Sequence, residues 1–344
     1  MDLTMRYVSI IGASGYTGVE LVRLVTGHPD FSLRSLVAGQ NAGKAYSEIY
    51  PAYRYLPLPE MIDMKAFDPS ESDLAFCALP HGTSQQIIAT LAGRCKIVDL
   101  SADFRLDNPA HYEQWYGLEH AAPELQKHAV YGLTEFYRDA IRSADLVACT
   151  GCNVAAGLYP LLPLVDRKLI ATDRIIVDIK TGVSGAGRSA RIAMLHAEIS
   201  EGCQAYNIES HRHLAEFDQE LGKAVGHDVR VTFTPHLVPQ NRGILATIYV
   251  EGDTGHIHKA LEERYLAEPF VTVLPMGQHA STRDVRGTNQ VLIGVVPDRI
   301  PGRTKLVSVL DNLVKGASGQ AVQNANLMLG CDEKSGLDRS ALIP

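Results

Sequence analysis

MRYVSIIGASGYTGVELVRLVTGHP, residues 5–29, is the stretch on which the reading of the fold turns. Residues 5 to 11 form a short apolar, β-branched run, GASGYTG follows at 12–18, and apolar residues then recur at helical spacing. The pattern reads as strand, glycine turn, helix. Gly12, Gly15 and Gly18 remove side chains where the backbone must turn tightly, approach a pyrophosphate and pack helix on strand. The helix N-terminus adds free N–H groups for an anion. Ser14, Tyr16 and Thr17 complete the turn. The segment is assigned to a dinucleotide cofactor, with an ordinary tight turn as the competing reading.

The strand FSLRSLVAG (31–39) ends about 20 residues after Gly18, where an Asp or Glu usually grips the ribose 2′-hydroxyl of NAD. Here the segment is AGQNAGK, with Gln40, Asn41 and Lys44 and no acid before Glu48. Nothing repels a 2′-phosphate and Lys44 attracts one, so NADP (NADPH) is the expected cofactor. DLAFCALP (73–80), KIVDLSADF (96–104) and ADLVACTG (144–151) continue the alternation of strand and helix. They imply an α/β chain with a doubly wound parallel sheet, whose strand ends gather at one ligand-binding edge. His81 and Gly82 lie at that edge, His81 as cofactor contact or helix cap. Arg105 lies there too; its guanidinium suits a phosphate or carboxylate, with an ion pair to Asp103 or another acid as the alternative.

Outward from this half, the chain of 344 residues is long enough for two domains. A net charge of -7 without a Lys/Arg-rich block supplies no footprint for nucleic acid or an anionic membrane. No 18-residue apolar run and no leader pattern is present, so a cytoplasmic protein is expected. Six cysteines in so long a chain are too sparse for a disulfide framework.

Cys152 follows a buried strand and opens an apolar helix, where N-terminal N–H groups and the macrodipole stabilise a thiolate. Gly151 before it leaves room for a substrate carbonyl. Cys149 and Cys152 also spell C-x-x-C, but no second pair and no thioredoxin-like context accompany them, and no metal site is expected. DRIIVDIKTGVSGAGRSARIAM reads as a strand, a second glycine-rich loop from Thr181 to Arg188, and a helix. Ser184 and Gly185 of that loop are placed over the nicotinamide end or in a plain connector; Arg188 and Arg191 clamp an anionic substrate or lie solvated. His211, Arg212 and His213 crowd ahead of an amphipathic helix, where an imidazole can shuttle protons near neutrality. VTFTPHLVPQNRGILATIYVEG alternates like strands of an antiparallel sheet with one covered face. His236 is read as structural, and Arg242 as facing the substrate or a partner subunit. Asn312 is placed to bond the nicotinamide carboxamide or to cap the helix after it.

GASGYTG, LPHG, DLSADFRL, GCN, GVSGAGR, SHRH, TPHLVPQNRGILATIY and DNLVKGASGQAVQNANLM together resemble the N-acetyl-γ-glutamyl-phosphate reductases of arginine biosynthesis, from about residue 6 to the C-terminus. One departure is Gly151-Cys152-Asn153, where the family commonly has Gly-Cys-Tyr-Pro-Thr. It is reminiscent of related reductases acting on a carrier-protein-bound aminoadipyl or glutamyl phosphate, and it marks Asn153 as a substrate contact. The resemblance implies attack of the Cys152 thiolate on an acyl phosphate, a thioester, and its reduction by NADPH. It gives His211 and His213 the acid–base and substrate-positioning roles, Glu216 an orienting or substrate role, and Arg105 and Arg188 the phosphate and carboxylate. It further implies a semialdehyde dehydrogenase-like architecture. A Rossmann domain over 1–150 would be completed by a C-terminal helix at 315–344, and a mixed α/β catalytic and oligomerisation domain would span 151–314. A homo-oligomer, tetramer or dimer, is implied as well.

Overall fold

The computed structural model describes residues 5–337 and 340–343. Two compact units divide the chain, one running to Thr150 and resumed over Ala317–Leu337, the other over Gly151–Gly316. The first is built on seven strands: β1 (Arg6–Ile11), β2 (Phe31–Val37), β3 (Met61–Ile62), β4 (Leu74–Cys77), β5 (Lys96–Asp99), β6 (Val130–Tyr131) and β7 (Leu146–Ala148). Their order is β3-β2-β1-β4-β5-β7-β6 and every pairing is parallel. The order reverses beside β1, with Ile11 opposite Val37 on one side and Cys77 on the other. A sheet covered on both faces needs continuous apolar strands, and β4 is buried at all four positions. The expected doubly wound sheet is therefore present. The two-residue strands β3 and β6 were not legible, being too short for any period to show.

Leu21, Val22, Leu24 and Val25 of helix Tyr16–Thr26 are buried, which gives that helix its apolar stripe. Near the C-terminus a π-turn over Val314–Ser318 precedes helix Gly319–Met328, which is much shorter than the range 315–344. Leu342 lies beyond it and is bonded to the second unit, its N–H donating to Arg286 O at 3.0 Å.

The second unit holds a mixed sheet of β8 (Ile176–Gly182), β9 (Gln204–Ala205), β10 (Thr232–Val238), β11 (Ile244–Glu251), β12 (Val271–Val273), β13 (Val291–Pro297) and β14 (Arg303–Leu310), in the order β12-β13-β14-β11-β8-β10-β9. The stretch 231–252 departs from the antiparallel reading. β10 and β11 are both partners of β8, which lies between them, parallel to β10 and antiparallel to β11. Alternation marks which face of a strand is covered and is silent on its neighbour. Helix Cys152–Asp166 carries Pro160 and Pro163 and buries every residue from Asn153 to Val165. It packs on helix His213–Val225 and against β11 and β14.

A second correction concerns the segment after β8. Instead of a helix there is a 3-10 turn at Val183–Ala186, another at Ile192–Met194 and a single helical turn at His196–Ile199. Ile192 and Leu195 are 78% and 53% exposed, so no apolar stripe is covered to hold a longer helix. Among the described residues no helix is long and apolar enough to cross a membrane.

Candidate active site

In the second unit Cys152 is the first residue of its helix, and Gly151 is the N-cap with an extended backbone. The N-cap residue supplies no side-chain cap, and the positive end of the helix dipole favours a negative charge at the thiol. Glu216, fully buried, accepts the Gly151 N–H at 2.9 Å. A Cβ on Gly151 would stand 2.5 Å from His213 Nε2 and 2.7 Å from Glu216 Oε1. The glycine ahead of the nucleophile thus admits the imidazole and the carboxylate, a reason different from room for a carbonyl. On the other side, a Cβ on Gly316 would stand 2.8 Å from Cys152 Cβ. Gly151→Ala is expected to lower turnover roughly 100-fold by displacing His213. Initial rates beside a melting curve test this, and an unchanged rate would remove His213 from the chemistry.

His213 opens helix His213–Val225, and its N–H donates to His211 Nδ1 at 3.1 Å. That bond leaves the His211 proton on Nε2. Burial, with Arg212 alongside, pushes the His211 pKa down to about 4, so the ring is neutral near pH 7. Tyr206 lies 5.5 Å from the His211 ring, centre to centre, and accepts from Asn153 Nδ2 at 3.4 Å. Asn153 Oδ1 is 4.0 Å from Cys152 Sγ. Burial, the largest cause, raises the Tyr206 pKa to about 12, with the Asn153 hydrogen bond working against the rise and the Cys152 charge adding to it.

The second glycine loop is braced by the β10–β11 connection: Val183 N–H donates to Gln240 O at 2.8 Å and Ser184 N–H to Asn241 O at 3.2 Å. Asn312 completes the brace, donating from Nδ2 to Ser184 Oγ at 2.9 Å and accepting the Gly243 N–H at 2.8 Å. The turn that follows is capped by Asp311, which accepts from Leu313 N–H at 2.9 Å. The capping alternative for Asn312 is thereby corrected. Arg242 stands 3.6 Å from Asp311, and His236 Nδ1 lies 3.1 Å from Asp178 Oδ1. Gly185 and Arg188 are exposed.

In the first unit the glycine turn accounts for itself residue by residue. Gly12 has φ +87, and a Cβ there would lie 2.2 Å from Ala78 O; at Gly18 it would lie 2.3 Å from Gly12 O. Gly15, the N-cap of helix Tyr16–Thr26, is different: its Cβ would meet Gly12 O at an ordinary 3.6 Å. The protein needs no glycine there for its own packing. Ser14 and Thr17 are half-buried, while Tyr16, Lys44, His81 and Gly82 are exposed.

Asp103 accepts the Gly82 N–H at 2.7 Å and the Ser84 N–H at 3.1 Å, so it, and not His81, caps helix Ser84–Leu91. Arg105 donates to Cys149 O at 2.7 Å and to Leu100 O at 3.2 Å, while the carboxylate of Asp103 is spent on the helix start and Tyr112. The Cys149 thiol, fully buried, is pushed up to about 12, which leaves it a poor nucleophile.

Sequence reasoning missed Gly316 and Tyr206. Both lie far along the chain from Cys152, and neither belongs to a pattern that carries chemistry alone.

Residues 7–144 match the family model for the NAD binding domain of semialdehyde dehydrogenases, and 152–312 match that for their dimerisation domain. A curated N-acetyl-gamma-glutamyl-phosphate reductase of Cereibacter sphaeroides is 59% identical over 338 residues, 98% of this chain and 99% of the relative. One from a Jannaschia species is 56% identical over the same shares. The solved structure of aspartate semialdehyde dehydrogenase II from Vibrio cholerae superposes with a TM-score of 0.72 at 21% identity, covering 95% of this chain and 99% of that one. Aspartate semialdehyde dehydrogenase with NADP from Candida albicans gives 0.71 at 17%, with the same coverage. Such low identities speak for the fold, and the two curated relatives for the branch. The chain belongs to the semialdehyde dehydrogenase family and, within it, to the N-acetyl-gamma-glutamyl-phosphate reductases.

Proposed function

We propose that the chain reduces N-acetyl-γ-glutamyl phosphate to N-acetyl-L-glutamate 5-semialdehyde with release of phosphate, through a Cys152 thioester, as a step of arginine biosynthesis. The observation that carries the reading is the convergence of His213 and Glu216 on Gly151, directly ahead of a cysteine at a helix start. The Cys152 thiolate attacks the acyl phosphate carbonyl; the carbon–oxygen bond to phosphate breaks and a thioester remains. Gly12, Gly15 and Gly18 with Ser14, Tyr16 and Thr17 would hold the nicotinamide cofactor, which would supply the hydride that reduces the thioester. His213 gives a proton to the oxygen of the resulting thiohemiacetal and takes it back as the carbon–sulfur bond breaks, which frees the aldehyde and the thiolate. Glu216 orients this group, and His211, neutral, offers its Nε2–H to the substrate. Arg105, Arg188 and Asn153 are assigned to the anionic and polar groups of the substrate, and His81, Gly82, Ser184, Gly185 and Asn312 to the cofactor.

NADP is the proposed form of the cofactor. Lys44 is exposed, and no acid occurs between Gln40 and Glu48 to compete for the 2′ position. The match to a dimerisation domain supports a homo-oligomer, dimer or tetramer.

The test is the reverse reaction, NADPH formation from N-acetyl-glutamate semialdehyde, NADP and phosphate, with phosphate omitted and aspartate semialdehyde as controls. Phosphate-dependent turnover of the acetylated substrate supports the reading. Its absence in a protein that binds NADP overturns it and points to a carrier-linked substrate.

The two histidines separate by size of effect. His213→Asn is expected to lower turnover by about 10²- to 10⁴-fold. His211→Asn lowers it less, since a ring with a pKa near 4 stays neutral through the working range and exchanges no proton there. The opposite pattern would exchange the roles. For stability the sign follows from the same shift: unfolded His211 binds a proton below about 6.5 and the folded one only near 4, so the native state loses stability as pH falls through that window.

A further inference from the structure

Three tyrosine hydroxyls from one short segment reach the backbone of the glycine turn and of the helix it opens. Tyr46 donates to Ala13 O at 3.1 Å, Tyr50 to Ser14 O at 2.8 Å and Tyr53 to Val19 O at 3.3 Å. The rings brace one another, with centroids 5.4 Å apart for Tyr46–Tyr50, 5.5 Å for Tyr46–Tyr53 and 6.4 Å for Tyr50–Tyr53. Tyr46 is 2% exposed. Carbonyl and N–H of one planar trans peptide point in opposite directions, so a carbonyl held on the tyrosine side turns its N–H away from that side. The same segment starts at Lys44, which is fastened to the sheet edge: Met61 N–H donates to Lys44 O at 3.1 Å and Gly43 N–H to Met61 O at 2.7 Å. The Lys44 side chain remains exposed.

We propose that Tyr46 and Tyr50 are positioning residues that set the separation between two anion subsites, the glycine turn for the pyrophosphate and Lys44 for a 2′-phosphate, and so determine the preference for the phosphorylated dinucleotide. The proposal rests on the NADP reading above. A ligand held at two charged points gains from the second only if the spacing between them is preset, because a loosely linked pair must be ordered as it binds. NAD lacks the second charge and is indifferent to that spacing.

Tyr46→Phe/Tyr50→Phe keeps both rings and removes both donors. Titration calorimetry on the full chain with NADP and with NAD is expected to show the NADP dissociation constant rising about tenfold and that of NAD by less than about threefold. Lys44→Ala is then added to both backgrounds. Its penalty on NADP binding is large in the parent and shrinks in the double-phenylalanine background, the signature of coupled positions. An equal loss for both cofactors, or a lowered melting temperature with an unchanged ratio, overturns the proposal by reducing the tyrosines to supports of the turn. A parent that does not favour NADP defeats the NADP reading and the proposal with it. A parent that favours NADP while the double variant leaves the ratio unmoved defeats the proposal alone.

Discussion

Cys152→Ala is expected to abolish phosphate-dependent turnover, by at least about 10⁴-fold, with cofactor binding intact. The size follows from the covalent route: with no sulfur there is no thioester, and the hindered direct reduction of an acyl phosphate is all that remains. Cys152→Ser keeps the shape but replaces the thiolate by a hydroxyl with no low-pKa form, and is expected to be almost as inactive. The measurement is the reverse assay beside a titration with NADP. Appreciable turnover by the alanine variant would exclude the thioester. Cys149 does not substitute, since its thiol is fully buried and pushed up to about 12.

Gly18→Ala is expected to cost about 3 kcal/mol and to lower the melting temperature by roughly 6–12 °C. Its new Cβ would meet backbone, Gly12 O at 2.3 Å and Ala13 C at 2.7 Å, and neither can swing aside like a side-chain end. Gly15→Ala makes the opposite contrast. The Cβ there finds ordinary contact at 3.6 Å, so the fold is expected to be unharmed while NADP binds at least about tenfold more weakly. Melting curves with and without cofactor separate the two effects. Equal destabilisation by both substitutions would mean that Gly15 serves packing and not the ligand.

The strand–turn–helix at 6–26 could be read from the chain because all of its information is local: an apolar run, three glycines and a helical period within some twenty residues. Gly12 and Gly18 are required by the packing of the turn itself. Cys152 was legible for the same reason, lying at the junction of an apolar strand and an apolar helix. Short strands escaped, and so did the partner of β10, since a pattern of covered and open faces is shared by every strand of a sheet. The helix expected after Arg188 failed on a tertiary ground, there being nothing to cover Ile192 and Leu195.

The site divides along the same line. By itself the sequence determined that a dinucleotide turn, a thiol at a helix start and a pair of histidines exist, because backbone sterics, helix dipoles and side-chain chemistry act within a few residues of where they are written. Only the tertiary structure decided what these groups do for one another. It put Glu216 on the N–H of Gly151, Gly316 against Cys152 and the hydroxyls of Tyr46 and Tyr50 on the carbonyls of the glycine turn. It also made His211 neutral by burying it. Such contacts join residues tens to more than a hundred positions apart, and burial and proximity are properties of the packed chain that no local pattern contains.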